Sequence, residues 1–244
     1  MVPVEAVQVL VLGSIEVFAG DHQIAMSPLE RALVALLALA PARVVSTGAI
    51  VDGLWGDRPP RCARTRVQAL VSGIRRKLAG SAGALRTSAP GYVLTADVDQ
   101  ARFDRLVALG RSAPDAEQAC VAYDRAIRLW RGPALDGVEA PFAGLARAAL
   151  AEGQLLAVED HADLKLACGR YRHLTPDLVE FVARHPFRER ARGQLMTALY
   201  HAGRQREAIE VYRAGRDLLR RELGLDPCPQ IQQLYQRVLL QDLC

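Results

Sequence analysis

No acidic residue falls between Asp57 and Asp97, and Arg58, Arg61, Arg64, Arg66, Arg75, Arg76, Lys77 and Arg86 all lie inside that gap. Across the same stretch Val67, Leu70, Val71, Ile74 and Leu78 recur at spacings of three and four, the period of an α-helix with one buried stripe. A helix is therefore predicted from about Arg61 to Leu78. At roughly 100° per residue, Arg61, Thr65, Ala69, Ser72 and Arg76 fall opposite the stripe. Arg66 and Gln68 flank them, and Arg64 and Arg75 lie nearer the edges. One face is core and the other is cationic and polar. Long cationic side chains of this kind neutralise phosphate, which supplies affinity and salt dependence without sequence information.

The flanking segments give that helix a context. Val7 to Leu12, Ile15 to Phe18 and Gln23-Ile24-Ala25 are short apolar runs separated by Gly13-Ser14 and by Ala19 to His22, and read as a small antiparallel sheet. Ser27-Pro28-Leu29-Glu30 combines an N-cap serine, a proline at the first helical position and a glutamate that reaches back to the cap. A helix begins at Pro28 and is stopped by Pro41. Ser46 caps a second helix carrying Ile50, Val51, Leu54 and Trp55, which ends at Gly56. Beyond the third helix, Leu85-Arg86-Thr87 and Tyr92-Val93-Leu94, joined by Ser88-Ala89-Pro90-Gly91, read as a hairpin. Sheet, three helices and hairpin is the order of a winged helix-turn-helix domain.

From Arg102 onward strand patterns give way to helical ones, with breaks at Pro114, Gly132-Pro133, Pro141, Gly169, Thr175-Pro176, Pro186, Gly203 and Gly224 to Pro229. Ala208-x-x-x-Tyr212-x-x-Gly215 has the small-residue and aromatic spacing of a tetratricopeptide second helix, and Ala119-x-x-x-Tyr123-x-x-Ala126 repeats it. A worn middle copy uses Gly169, Leu174, Leu178 and Phe181, and Leu174 precedes Ala208 by one repeat length. Small residues let paired helices approach and the aromatic fills the space between pairs, so a core forms when the units stack. The expected fold is mainly α with a small β component. Residues 1–98 form the winged helix and residues 99–244 an all-α, tetratricopeptide-like repeat domain.

Composition excludes several classes. The chain has 244 residues, half of them apolar and about a quarter charged, the balance of two globular domains. The longest apolar run, Leu33 to Ala42, contains Pro41 and is far shorter than a membrane span. No basic segment leads into an apolar one at the start, so a cytoplasmic protein with no membrane partner is expected. Cysteines at 62, 120, 168, 228 and 244 show neither a C-x-x-C pair nor zinc-ligand spacing to a histidine, which predicts free thiols, no metal and no cofactor. There is no phosphate-binding loop, no G-x-S-x-G and no H-E-x-x-H. His161, His173, His185 and His201 are scattered over helices, and no enzymatic activity is expected.

Residues from about 6 to 97 resemble the OmpR-type winged helix of the Streptomyces antibiotic regulatory protein family. The motifs are Leu12-Gly13, Ile15-Glu16-Val17, Arg31-Ala32-Leu33, Arg43 to Ser46, Leu54-Trp55-Gly56-Asp57 with Pro59-Pro60, Ala63-Arg64, Ser72, Arg75-Arg76 and Pro90-Gly91-Tyr92. Thr65 stands where the family commonly has asparagine, and Gly73 where a larger polar residue is usual. The later half resembles the activation domain of the same family. It matches through Leu129 to Leu135, Pro141-Phe142, His185-Pro186, Arg188-Glu189-Arg190, Gly193 to Met196, Ala198-Leu199-Tyr200, Gly203-Arg204-Gln205, Glu222 to Pro227 and Gln241-Asp242. With no phosphate loop or receiver module in the sequence, the resemblance is to the short form of the family.

A recognition helix fits the major groove, so Thr65, Arg66, Gln68 and Ser72 are the candidates for base edges. Arg64, Arg75, Arg76 and Lys77 are the candidates for phosphates, Arg61 lies on the same DNA-facing side, and the hairpin tip, with Arg86 and Tyr92 at its base, is expected over the adjacent minor groove or its backbone. Gly73 is expected near the groove side. The resemblance implies that Trp55, Gly56, Asp57, Arg58, Pro59 and Pro60 form a loop contacting RNA polymerase holoenzyme, sigma factor included; composition alone makes this a turn. It further implies activation of a secondary-metabolite gene cluster by two protomers in tandem on promoter direct repeats, in the nucleoid. The residues fit repression equally, since the difference lies in where the site sits relative to the promoter. The competing class is a tetratricopeptide scaffold or ligand-responsive sensor whose winged helix docks proteins, and the basic face argues against it.

Overall fold

The computed structural model describes residues 6–242. Strand β1 (Val7–Leu10) pairs antiparallel with β2 (Glu16–Ala19), which pairs with β3 (His22–Gln23). Helices α1 (Pro28–Ala38), α2 (Thr47–Trp55) and α3 (Ala63–Lys77) follow, with the two-residue β4 (Val45–Ser46) just before α2. A 3₁₀ turn over Ala79–Ala84 leads to β5 (Leu85–Ser88) and β6 (Gly91–Leu94), and β7 (Asp97–Val98) returns beside β1 in parallel. The two sheets have the orders β3-β2-β1-β7 and β4-β6-β5. Strands β4 and β7 had no sequence signal, because a two-residue strand has no period to read.

Local chemistry sets these boundaries. The Ser27 side chain accepts from the Glu30 N–H and the Glu30 carboxylate accepts from the Ser27 N–H at 2.7 Å, so the reciprocal cap of α1 is complete. Ser46 caps α2 by accepting from the Ala49 N–H at 3.1 Å. Gly91 is required by close approach: a Cβ there would lie 1.8 Å from the Val45 carbonyl oxygen, so β4 and β6 pair only around a glycine.

The remaining chain is helical: α4 (Asp99–Ser112), α5 (Ala116–Ile127), α6 (Pro141–Ala167), α7 (Tyr171–Arg184), α8 (Glu189–His201), α9 (Gln205–Leu223) and α10 (Pro229–Leu240). The fold is thus mostly helical with two small sheets, a winged helix followed by helical repeats. Most of the repeat signature is buried: Ala119, Tyr123, Ala126, Leu174, Leu178, Ala208 and Tyr212 are all below one-tenth exposed, whereas in the worn middle copy Phe181 is half-buried and Gly169 exposed. Its small residues admit specific neighbours, since a Cβ on Gly110 would meet the Tyr123 ring at 2.5 Å and one on Gly215 would meet Arg192 Nε at 2.3 Å. Gly224, at φ 68°, closes α9 in the left-handed conformation. The break expected at Thr175-Pro176 does not occur, because α7 continues through Pro176. Burial of Leu174, Leu178 and Val182 outweighs the one backbone bond the proline cannot make. Helix α6, at 27 residues, is also longer than the run of short helices expected.

By compactness the described chain divides into residues up to 112 with 122–155, and residues 113–121 with those from 156 onward. The first unit extends past β7 for a reason visible in its bonds. The buried Asp99 carboxylate accepts the Val11 and Leu12 N–H groups at 2.7 and 3.0 Å. The segment after α5 returns to the same loop, where Arg131 N–H donates to Leu12 O, Leu135 N–H to Val11 O, and Arg131 Nη1 to Glu16 at 2.6 Å. These contacts cross the motif Leu12-Gly13. Helix α8, in the second unit, packs on both α7 and α9 around Leu195, Met196 and Leu199.

Candidate nucleic-acid interface

Helix α3 has the two faces that its periodicity requires. Ala63, Val67, Val71, Ile74 and Leu78 are buried, with Leu70 half-buried beside them. Arg64, Thr65, Arg66, Gln68, Ala69, Ser72 and Arg76 are exposed, as are Arg61 and Cys62 in the turn that precedes the helix. The helix starts two residues later than expected because Ala63 N–H bonds Pro60 O in that turn and Cys62 takes the N-cap position. Arg75, Arg76 and Lys77 occupy the last turn, where the carbonyl end of the helix dipole favours cations. Ser72 folds its hydroxyl onto Gln68 O at 2.9 Å.

Three of the expected contact residues are engaged inside the protein. Arg75 is half-buried, with Nε donating to Leu85 O and Nη2 to Thr87 Oγ1, both at 2.8 Å, so it clamps α3 to the wing strand β5. Lys77 Nζ lies 2.6 Å from Glu30 Oε2 and ties the end of α3 to the start of α1. Tyr92 is 7% exposed and belongs to the core, which corrects its assignment to DNA. It lies on β6, the central strand of its sheet, all four residues of which are buried. Arg86, one strand over, alternates outward from the buried Leu85 and is exposed.

Gly73 is likewise corrected. A Cβ there would sit 3.2 Å from Glu30 Oε1, so this position turns toward α1 and leaves room for a carboxylate rather than facing the groove side. Glu30 is the residue the sequence underestimated. It is 7% exposed, caps α1 and receives Lys77, and its carboxyl lies below the usual range. Burial pushes that value up, but hydrogen bonds from Lys77 and from the Ser27 N–H and hydroxyl, with the charge of Lys77, outweigh it. A signal existed in the glycine facing a capping glutamate, yet it becomes legible only once α1 and α3 are known to touch.

The turn proposed for a polymerase contact leaves α2 at Gly56, whose φ of 56° and N–H to Asp52 O at 2.8 Å end the helix. Asp57, Arg58 and Pro59 are exposed, and Trp55, Gly56 and Pro60 are half-buried. A Cβ on Gly56 would stand 3.3 Å from Pro141 Cγ, so the start of α6 backs this turn. Among the described residues no three His, Cys, Asp or Glu side chains are grouped to hold a metal ion, and no helix is long and apolar enough to cross a membrane. Cys62, Cys120, Cys168 and Cys228 form no disulfide among the described residues.

Two family models match in order. Residues 21–94 match the transcriptional regulatory protein C-terminal domain and residues 98–239 the bacterial transcriptional activator domain. The chain is 38% identical over 240 residues to the regulatory protein AfsR of Streptomyces coelicolor, covering 95% of this chain and 24% of AfsR. It is 35% identical over 249 residues to the transcriptional regulatory protein MoaR1 of Mycobacterium tuberculosis, covering 97% of this chain and 80% of MoaR1. The chain therefore spans about a quarter of one relative and most of the other. Among solved structures, Mycobacterium tuberculosis EmbR, in complex with a low affinity phosphopeptide, superposes with a TM-score of 0.94 at 31% identity, over 98% of this chain and 66% of that one. On the ordered pair of domains and on an identity sustained across MoaR1, the chain belongs to the Streptomyces antibiotic regulatory protein family of transcriptional activators.

Proposed function

We propose that the chain binds a promoter element through the exposed face of α3 and activates transcription of a secondary-metabolite gene cluster in the cytoplasm, at the nucleoid. One observation carries this reading: Arg61, Arg64, Thr65, Arg66, Gln68, Ser72 and Arg76 are exposed together on or beside a helix whose opposite side is core, inside a stretch with no acid. A helix of this width enters the major groove, where Thr65, Arg66 and Gln68 meet base edges and Arg61, Arg64 and Arg76 meet phosphates. Arg86 reaches the backbone beside the wing. Arg75 and Lys77 act by holding α3 against β5 and α1. The turn from Trp55 to Pro60, exposed at Asp57 to Pro59, meets RNA polymerase holoenzyme, and two protomers occupy direct repeats in tandem.

The test is a mobility-shift titration of the full chain against promoter fragments at several salt concentrations. Specific binding should weaken steeply as salt rises, and Arg76→Ala should reduce the slope of log affinity against log salt by about one if its side chain neutralises a phosphate. An unchanged slope in a folded variant removes Arg76 from the interface. Salt-independent binding removes the whole reading.

A further inference from the structure

Residues Arg131 to Val138 form a strap with bonds on two sides. On one side Arg131 N–H donates to Leu12 O and Leu135 N–H to Val11 O, both at 2.9 Å, and Asp136 N–H donates to Gly13 O at 3.1 Å. On the other, Arg147 Nε donates to Ala134 O, and Arg147 Nη2 to Leu135 O and Val138 O, each at 3.1 Å. Ala134, Leu135 and Val138 are buried, where a carbonyl needs a donor, and the planar fork of one arginine serves all three. Leu135 takes a φ of 56° and is fully buried. A leucine does not prefer that conformation, so the strap keeps its shape through its surroundings.

Arg147 stands on α6, and Pro141 opens the same helix against Gly56. The first sheet is thereby joined to the turn from Trp55 to Pro60 through the strap, Arg147, the first turns of α6 and Pro141. Side-chain packing does not do this work. A cavity of about 380 Å³ lies between Gly137, Glu139 and Ala140 on one side and Leu29, Ala32 and Leu54 on the other. With that space unfilled, the hydrogen bonds of Arg147 are what tie the start of α6 to the strap.

We propose that Arg147 is a positioning residue for activation: it fixes the start of α6, and through Pro141 it holds the turn from Trp55 to Pro60 in the form met by RNA polymerase. This rests on the polymerase reading of that turn. The first readout is independent of polymerase: amide hydrogen exchange, followed by NMR, in the full chain and in Arg147→Ala. The Gly56 N–H, bonded to Asp52 O, and the Arg58 N–H, bonded to Trp55 O, should exchange about tenfold faster in the variant, as expected of local opening. The Leu78 N–H at the end of α3 should not change. The second readout is transcription by RNA polymerase holoenzyme from a promoter the chain binds. Arg147→Ala should lower maximal activation about fivefold, within the range by which residues along a packed network shift coupling, and leave DNA affinity unchanged. Combining it with Arg58→Ala should cost no more than the weaker single variant, because both act through one turn. Pro141→Ala removes the ring behind Gly56 and leaves Arg147 in place; it should quicken the same two amides, and it carries the test if Arg147→Ala does not fold. Exchange at Gly56 and Arg58 that is unchanged, or quickened no more than at Leu78, overturns the proposal, as does activation lost in Arg58→Ala but kept in Arg147→Ala. Either result leaves the polymerase reading of the turn in place. Quickened exchange with full activation in both Arg147→Ala and Arg58→Ala removes that reading, and the role of Arg147 in activation with it.

Discussion

Arg188 meets the buried carboxylate of Glu159 through Nε and Nη2 at 2.9 and 2.8 Å, whereas Arg64, Arg66 and Arg76 on α3 stand exposed with no ion-pair partner among the described residues. The contrast extends along the chain. In the helical repeats Arg184, Arg190, Arg204, Arg206 and Arg220 each pair with an Asp or Glu, while Arg61 and Arg86 near the wing do not. The same residue type therefore does two jobs. Where an acid lies within reach the arginine is neutralised inside the fold, across helices for Arg188 and Arg190 and along one helix for Arg184 and Arg206, and where acids are missing from the sequence its charge is left for something outside.

The sharpest way to break that comparison is to remove one partner from each class and ask what fails. Glu159→Ala should destabilise the helical unit by about 3 kcal/mol, because it strips Arg188 of a carboxylate that is 2% exposed. Urea unfolding followed by circular dichroism reads it, and a loss below about 1 kcal/mol would mean the pair is ornamental. Arg75→Ala comes next. It loses two internal hydrogen bonds at 2.8 Å and should cost about 1–2 kcal/mol, with DNA affinity falling through loss of alignment while the salt slope stays unchanged. Arg66→Ala should do the reverse, leaving stability within about 0.5 kcal/mol of the parent and weakening specific DNA binding by about 1–3 kcal/mol if it meets a base edge. A stability loss at Arg66 equal to that at Arg75 would erase the distinction.

How much of this the sequence carried depends on how local each feature is. The caps at Ser27 and Ser46, the two faces of α3 and the glycine stops at Gly56 and Gly224 are set by residues within one or two turns, and the structure has them where the sequence puts them. Tyr92, Gly73 and the paired state of Lys77 were misread or missed because each depends on an element distant in sequence: β4 beside β6, and α1 beside α3. The tie of Asp99 and Arg131 to the Leu12-Gly13 loop was invisible for the same reason. Periodicity reports which side of an element is buried, and says nothing of what lies against it. Pro176 shows the converse, a strong local breaker overridden by three buried neighbours.

Lys77 tests the comparison at its margin, because it lies on α3 yet is paired in the manner of the repeat arginines. Glu30 has its carboxyl held below the usual range, so the stability it contributes is full above the ordinary carboxylate value and is lost as pH falls through its lowered one. Lys77→Met removes the strongest of the influences that lower it. The variant should be less stable than the parent at neutral pH by a few tenths of a kcal/mol, a modest figure because the Lys77 side chain is 39% exposed and water screens the pair. That gap should close as the pH is taken down through the carboxylate range, since protonated Glu30 no longer attracts the ammonium. Thermal unfolding of both proteins across that range reads the closing gap. The same variant should leave the salt slope of DNA binding unchanged, in contrast to Arg76→Ala, because a cation already neutralised by Glu30 has no counterions to release from a phosphate. A slope reduced by about one, with no closing of the gap in acid, would move Lys77 back among the residues that face DNA.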